Sequence, residues 1–176
     1  MARLIGSMRR MGAAPEDQVF IESHPSGFDL TKPEDEARFV RIVSEVQPAI
    51  LMTGSLYRLH AADPSDETAA RAVTRVIDRC REAANCAIVL EAHTGLAVGA
   101  EGTRHVRPIG SSLWLRWPEF GYGLRPTKDY TMDNRLCDFV PFRGDRDRRA
   151  WPKRLKAEES GGPLPWIEAT WDPHNS

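Results

Sequence analysis

Two short apolar runs constrain this chain more than anything else in it: Ala49-Ile50-Leu51-Met52 and Cys86-Ala87-Ile88-Val89-Leu90. Each ends abruptly in polar residues, Thr53-Gly54-Ser55 and Glu91-Ala92-His93-Thr94. A strand that is apolar at every position, not at alternate ones, has the pattern of a sheet covered on both faces. Between the runs lies the clearest helix of the sequence, "DPSDETAARAVTRVIDRCREAAN". Asp63 is a good N-cap there, Pro64 fits the first helical position, and Val73, Val76, Ile77 and Cys80 share one stripe. Strand, helix and strand in this order predict a parallel sheet with right-handed crossovers. Ligands of such sheets bind beyond the carboxyl ends of the strands.

The same rhythm extends upstream. "QVFIES" reads as a short strand ending at Glu22-Ser23-His24. "TKPEDEARFVRIVSEVQP" reads as a helix with a Thr31-x-x-Glu34 capping box, a stripe of Phe39, Ile42, Val43 and Val46, and Pro48 as its stop. In "RLIGSMRRMGA", Leu4, Ile5, Met8 and Met11 have helical spacing and Gly12 is a stop. After residue 94 the character changes. "GLAVGAEGTRHVRPIG" is a Gly-rich loop expected to be mobile, and "SSLWLRWPEF" is a short amphipathic segment, helical from Ser111 to Pro118. "YGLRP", "RLCDFVPFRG" and "PWIEATW" read as strands of an antiparallel extension. The expected organisation is one domain over residues 1–171 and a flexible tail over 172–176.

Composition excludes several classes. Basic and acidic side chains balance, 24 against 25, so nucleic acid or an anionic membrane would have to be met by a local patch. No apolar stretch approaches the roughly 18 residues of a spanning helix. Cys80, Cys86 and Cys137 form no CxxC pair, which predicts reduced thiols in a cytoplasmic protein. No pair of His24, His60, His93 and His105 has ligand spacing, so no metal site is expected.

Taken in order, "MTGSLYRLH", the capped helix, "VLEAHTG", the Gly-rich loop, "RPIGSSLWLRW" and "FRGDRD" resemble the C-terminal part of RecA-like P-loop ATPases. The branch is that of replicative hexameric helicases and phage-type replication or recombination ATPases. The resemblance covers roughly residues 1–145. It implies an α/β fold with a mostly parallel, helix-flanked sheet and a C-terminal antiparallel extension. It makes "ILMTGSLYRL" the Walker B strand, "EAHTG" the element after the sensor strand, and "GSS" an element after the DNA-facing loop.

The departures from that family define the functional expectation. The sequence has no Gly-x-x-x-x-Gly-Lys-Ser/Thr, the loop whose backbone N–H groups and lysine cradle phosphates. Gly54 stands where the family has the aspartate that orients magnesium. Arg3-Leu4 resembles the start of the helix after the catalytic-glutamate strand, so ATP and magnesium would enter only with a P-loop segment upstream of Met1. No cofactor is otherwise expected, and the chain alone is expected to lack ATPase activity.

Thr53, Gly54, Ser55, Glu91 and His93 are the candidates for a vestigial site. Glu91 and His93 fit two readings: a γ-phosphate sensor that activates water, or a strand cap bonded to loop backbone. Arg143 matches the place of a trans-acting arginine finger, and equally an arginine on a solvated turn. Arg104, Arg107, Ser111, Ser112 and Arg116 match the single-stranded DNA loop. Trp114 and Trp117 beside them either stack on bases or pack in the core. "RGDRDRRAWPKRLK" carries seven basic residues against two acids and reads as a phosphate contact or a solvated face. A sheet without its P-loop strand has an uncovered edge, which predicts self-association or a RecA-like ATPase partner. Three functions therefore stand: a degenerate RecA-like protein of DNA replication or recombination acting through protein interaction, the C-terminal portion of an active DNA-dependent ATPase, or a single-stranded nucleic-acid binding module.

Overall fold

The structure, a computed structural model, describes residues 19–95, 104–144, 151–157 and 166–169. The expected N-terminal helix, much of the Gly-rich loop, part of the basic run and the tail lie outside the described residues. The chain divides into two compact units, one spanning Glu22–Glu119 and one that includes Phe120–Ser176. Together they form an α/β structure with a small parallel sheet and a larger antiparallel one.

In the first unit, helix α1 (Pro33–Val46) begins with Pro33 at its first position and Glu34, Asp35 and Glu36 in its first turn. Acids there complement the partial positive charge of the helix N-terminus. The expected Thr31–Glu34 capping box does not form. Lys32 is the N-cap and bonds through no side chain. The Thr31 hydroxyl is taken instead by Asp29 Oδ1 at 2.5 Å, and the Asp29 N–H by Asp35 Oδ2 at 2.9 Å. Asp29 Oδ1 also accepts the Thr31 N–H, at 3.2 Å, which is the donor a Glu34 side chain would take in a capping box. Burial pushes the Asp29 carboxyl up, but the Thr31 hydroxyl and N–H together with Lys32 outweigh it and hold the group below its ordinary value. The expected stop holds: Gln47 takes a left-handed conformation, φ 47°, and donates its N–H to Val43 O, with Pro48 next.

Strand β1 (Ile50–Thr53) follows, and helix α2 (Glu67–Ala84) leads to β2 (Ala87–Leu90). The two strands pair in parallel, from Ile50 opposite Ala87 to Thr53 opposite Leu90. The expected stripe of α2 is buried: Val73, Val76, Ile77 and Cys80 are at most 1 % exposed. Its N-cap is Asp66, three residues later than expected, accepting from Thr68 N and Ala69 N. Asp63 is used one turn earlier, where its carboxylate takes the Ser65 N–H at 2.8 Å and the Ser65 hydroxyl. Two aspartates on either side of Pro64 make two successive side-chain turns, and only the second opens the helix. The core joins Leu30, Phe39 and Val43 to this stripe, to Leu56 and Leu59 beyond β1, and to Trp114 of the short helix α3 (Leu113–Arg116).

Two expectations about the strands are corrected. The described part of "QVFIES", residues 19–23, forms no strand; Val19 and Phe20 are exposed. The apolar runs are also not covered on both faces. Leu51, Ile88 and Leu90 pack against the core, whereas Ile50 is 61 %, Met52 74 % and Val89 47 % exposed. The helices α1 and α2 supply one cover, and among the described residues nothing supplies the second.

The second unit is an antiparallel sheet in the order β3 (Gly121–Pro126), β4 (Leu136–Arg143), β5 (Arg154–Ala157), β6 (Trp166–Glu168). This is the expected extension plus one strand, β5, from within the basic run. Arg154 donates to Asp138 Oδ1 at 3.0 Å and Arg125 to its Oδ2 at 3.3 Å, so a carboxylate across the sheet ties part of that run to the fold. Tyr122 stacks on Phe139 at 4.7 Å and 7°, with Trp151 tilted against Tyr122 at 4.9 Å. Among the described residues no helix is long and apolar enough to cross a membrane.

Because Asp66, not Asp63, satisfies the first free N–H groups of α2, Asp66→Ala should cost about 1 kcal/mol in urea denaturation. Asp63→Ala should cost distinctly less, since it loses only an exposed turn.

Candidate functional site

The polar tips of β1 and β2 lie side by side because the parallel register continues beyond the strands. Glu91 N donates to Thr53 O at 3.0 Å, and Leu56 N donates to Glu91 O at 3.0 Å. Thr53, Gly54 and Ser55 therefore run alongside Glu91, as their placement in the sequence implied only if the strands were neighbours. A Cβ on Gly54 would stand 2.5 Å from Glu91 Cβ and 3.2 Å from both its N and its Oε2. The backbone of Gly54 has space only because it carries no side chain, and Glu91 occupies what a side chain there would need. The Gly54–Ser55 peptide is cis. Ser55 is buried, and its hydroxyl has no hydrogen-bond partner.

Glu91 and His93 come together at 3.2 Å, both more than half exposed. Tyr57 meets the His93 ring edge-on at 5.0 Å. Behind them His60, 5 % exposed, leaves Nδ1 without a partner. It faces a cavity of about 20 Å³ lined also by Tyr57, His93, Ile109 and Trp114, with room for a single water. Tyr57 did not stand out in the sequence, and His60 only as one of four histidines without ligand spacing, because the segment that meets them around His93 is distant along the chain.

On the outer side an open groove of about 340 Å³ runs between Glu22, Met52, Thr53, Gly54, Val89 and Glu91. Its lining mixes apolar side chains, Met52, Val89 and Leu90, with two carboxylates, Glu22 and Glu91. Glu22 is held by His24 at 2.9 Å and approached by Arg38 at 3.9 Å. Among the described residues no group of three or more His, Cys, Asp or Glu side chains gathers as a metal site.

The residues expected to meet DNA have separate duties. Ser111 is buried and its hydroxyl accepts from Leu113 N at 3.2 Å, so it supports the short helix. Ser112 accepts from Arg116 at 2.9 Å, and Arg116 also lies 3.7 Å from Glu67. Trp114 is 3 % exposed, and Trp117 donates its indole N–H to Asp78 at 3.1 Å. Of the two readings of these tryptophans, packing within the protein is the one found for Trp114, and Trp117 is half-buried against the same core. The segment is fixed by backbone: Ile109 N donates to His93 O at 3.0 Å, and Ser111 N to Pro64 O at 2.9 Å. Gly110 has φ 101°, and a Cβ there would meet Pro64 O at 2.3 Å, so only glycine fits the turn. Arg104 and Arg107 are exposed beside it. Arg143 is exposed at the end of β4, in the other unit.

All three cysteines are buried free thiols. Burial, with Cys86 nearby, pushes the Cys80 thiol up to about 11, and burial raises Cys137 as well. Thiolate chemistry is disfavoured at both.

Compared with protein-family models, with curated proteins and with solved structures, the chain matches none.

The contact between Gly54 and Glu91 should be measurable. Gly54→Asp should destabilise the protein by about 1–3 kcal/mol in urea denaturation, the cost of overpacking. Adding Glu91→Gly should recover part of that loss, with a coupling of about 1 kcal/mol in the double-mutant cycle.

Proposed function

We propose that this chain is a RecA-like, ATPase-related protein of DNA replication or recombination that acts through protein interaction and does not itself hydrolyse ATP. The observation that carries the reading is Gly54 pressed against Glu91 at the paired tips of β1 and β2. The segment order that resembles a Walker B strand and a sensor strand becomes two neighbouring parallel strands joined through α2. The place where that family holds magnesium through an aspartate has neither a carboxylate of its own nor the volume for one.

The residues at the tips do not fit a magnesium nucleotide. Two carboxylates, Glu91 and Glu22, lie there among the described residues, and each is already paired, with His93 and with His24. The sequence contains no phosphate-cradling Gly-x-x-x-x-Gly-Lys-Ser/Thr. No catalytic step is therefore assigned through ATP. In this reading the working surfaces are those that meet other molecules. Arg143, exposed at a strand end, would approach a neighbouring ATPase's nucleotide as an arginine finger. Arg104 and Arg107 would contact the backbone of single-stranded DNA.

Purified chain mixed with magnesium, ATP and single-stranded DNA should release no phosphate above the protein-free control. Phosphate release that Glu91→Ala abolishes would overturn the reading. A hexameric helicase ATPase should bind the chain in a titration, and its turnover should change on binding. Arg143→Ala should leave that binding in place and remove the change in turnover.

A further inference from the structure

The outer face of the β1–β2 sheet is apolar and uncovered among the described residues. Ile50, Met52, Ala87 and Val89 point to one side and are all exposed, with Met52 at 74 %. Opposite them, Leu51, Ile88 and Leu90 belong to the core under α1 and α2. A parallel sheet whose strands are apolar at every position is made to be covered by helices on both faces. Here one cover is present among the described residues. At the carboxyl end the same face opens into the groove of about 340 Å³ between Met52, Val89, Glu22 and Glu91. The charged groups at that groove are unequal. Among the described residues Glu22 already has His24 and Arg38, whereas Glu91, 68 % exposed, has His93 alone.

We infer that this face is a docking surface for an amphipathic helix of a partner protein, its apolar stripe over Ile50, Met52, Ala87 and Val89 and a lysine or arginine of its own against Glu91. The helix is favoured over an added strand because the bare side chains lie on the face of the sheet, where helices pack. Charge selects its chemistry, since an apolar strand face, Ile50, Met52, Ala87 and Val89, that runs out at the Glu91 carboxylate suits a stripe that runs out at a cation. The dimensions agree. Strands of four residues span about 13 Å, which about nine residues of helix cover. The inference deepens the interaction role proposed above and rests on it for the partner's being a protein.

The test is a fluorescence-anisotropy titration of the full chain with two synthetic peptides of roughly 15 residues, long enough to be helical when bound. Both carry leucines at i, i+3, i+4 and i+7; one has lysines on the flanking positions and the other glutamates. The lysine peptide should bind at low salt, and the glutamate peptide at least about twofold more weakly, the scale of an exposed charge pair. Met52→Asp should weaken the lysine peptide on the order of tenfold, since it removes a buried apolar contact. Met52 is exposed, so the variant keeps its core, and a thermal melt checks this. Glu91→Lys should cancel or invert the preference between peptides. Met132→Asp, at an exposed site of the other unit, should change nothing. Equal affinity of wild type and Met52→Asp for the lysine peptide overturns the inference. So does tighter binding of an alternating-pattern strand peptide. So does a dimer in sedimentation that Met52→Asp converts to monomer, which would make a second copy the occupant. A helicase ATPase that binds Met52→Asp as well as wild type would overturn this surface and leave the interaction role standing. Peptide binding as expected without helicase binding would do the reverse.

Discussion

The parallel pairing of β1 with β2, clamped from one side by the stripe of α2, is the constraint on which the first unit depends. Val73, Ile77 and Cys80 are fully buried and Val76 nearly so, all from one helix face. Complete burial of a side chain of this size contributes about 1.5–3 kcal/mol, so four of them in one stripe hold the helix across the two strands. The crossover places both strand tips at the same end of the sheet. Every feature of the candidate site follows from that placement, including the contact of Gly54 with Glu91, the Glu91–His93 pair, and the docking of Ile109 on the His93 carbonyl.

Once the tips are fixed, a small residue decides what they can do. Gly54 admits the Glu91 side chain to space that a larger residue would fill. A carboxylate is thus presented from β2 and excluded from β1, and it meets a histidine two residues on. The neighbouring segment is committed elsewhere. Trp114 belongs to the core, Trp117 to Asp78, and Ser111 to the start of a short helix. Of the residues that looked like one binding surface in the sequence, Ser111, Ser112, Trp114, Arg116 and Trp117 pack or bond within the unit, whereas Arg104 and Arg107 stay exposed.

Elements whose cause is local were legible from the residues. The stripe of α2 has the period of a helix, and its burial follows that period. Pro48 stops α1 because proline restricts the residue before it. Elements settled by competition were not. Thr31 had a capping partner in sequence but gave its hydroxyl to Asp29. Asp63 and Asp66 are both good caps, and only the chain's path chose between them. β5 was hidden in a run of charge because Arg154 acquires its meaning from Asp138 on another strand.

By itself the sequence determined the strand–helix–strand order, the inward stripe, the stops and the absence of a phosphate-cradling loop, since periodicity, capping chemistry and motif spacing are properties of neighbours along the chain. Only the tertiary structure decided that Gly54 faces Glu91, that Trp114 is core, that His60 borders a cavity and that one face of the apolar strands stays bare. Each of these depends on which distant segment arrives beside a residue. Strands apolar at every position specify that both faces are to be covered, but not what covers the second.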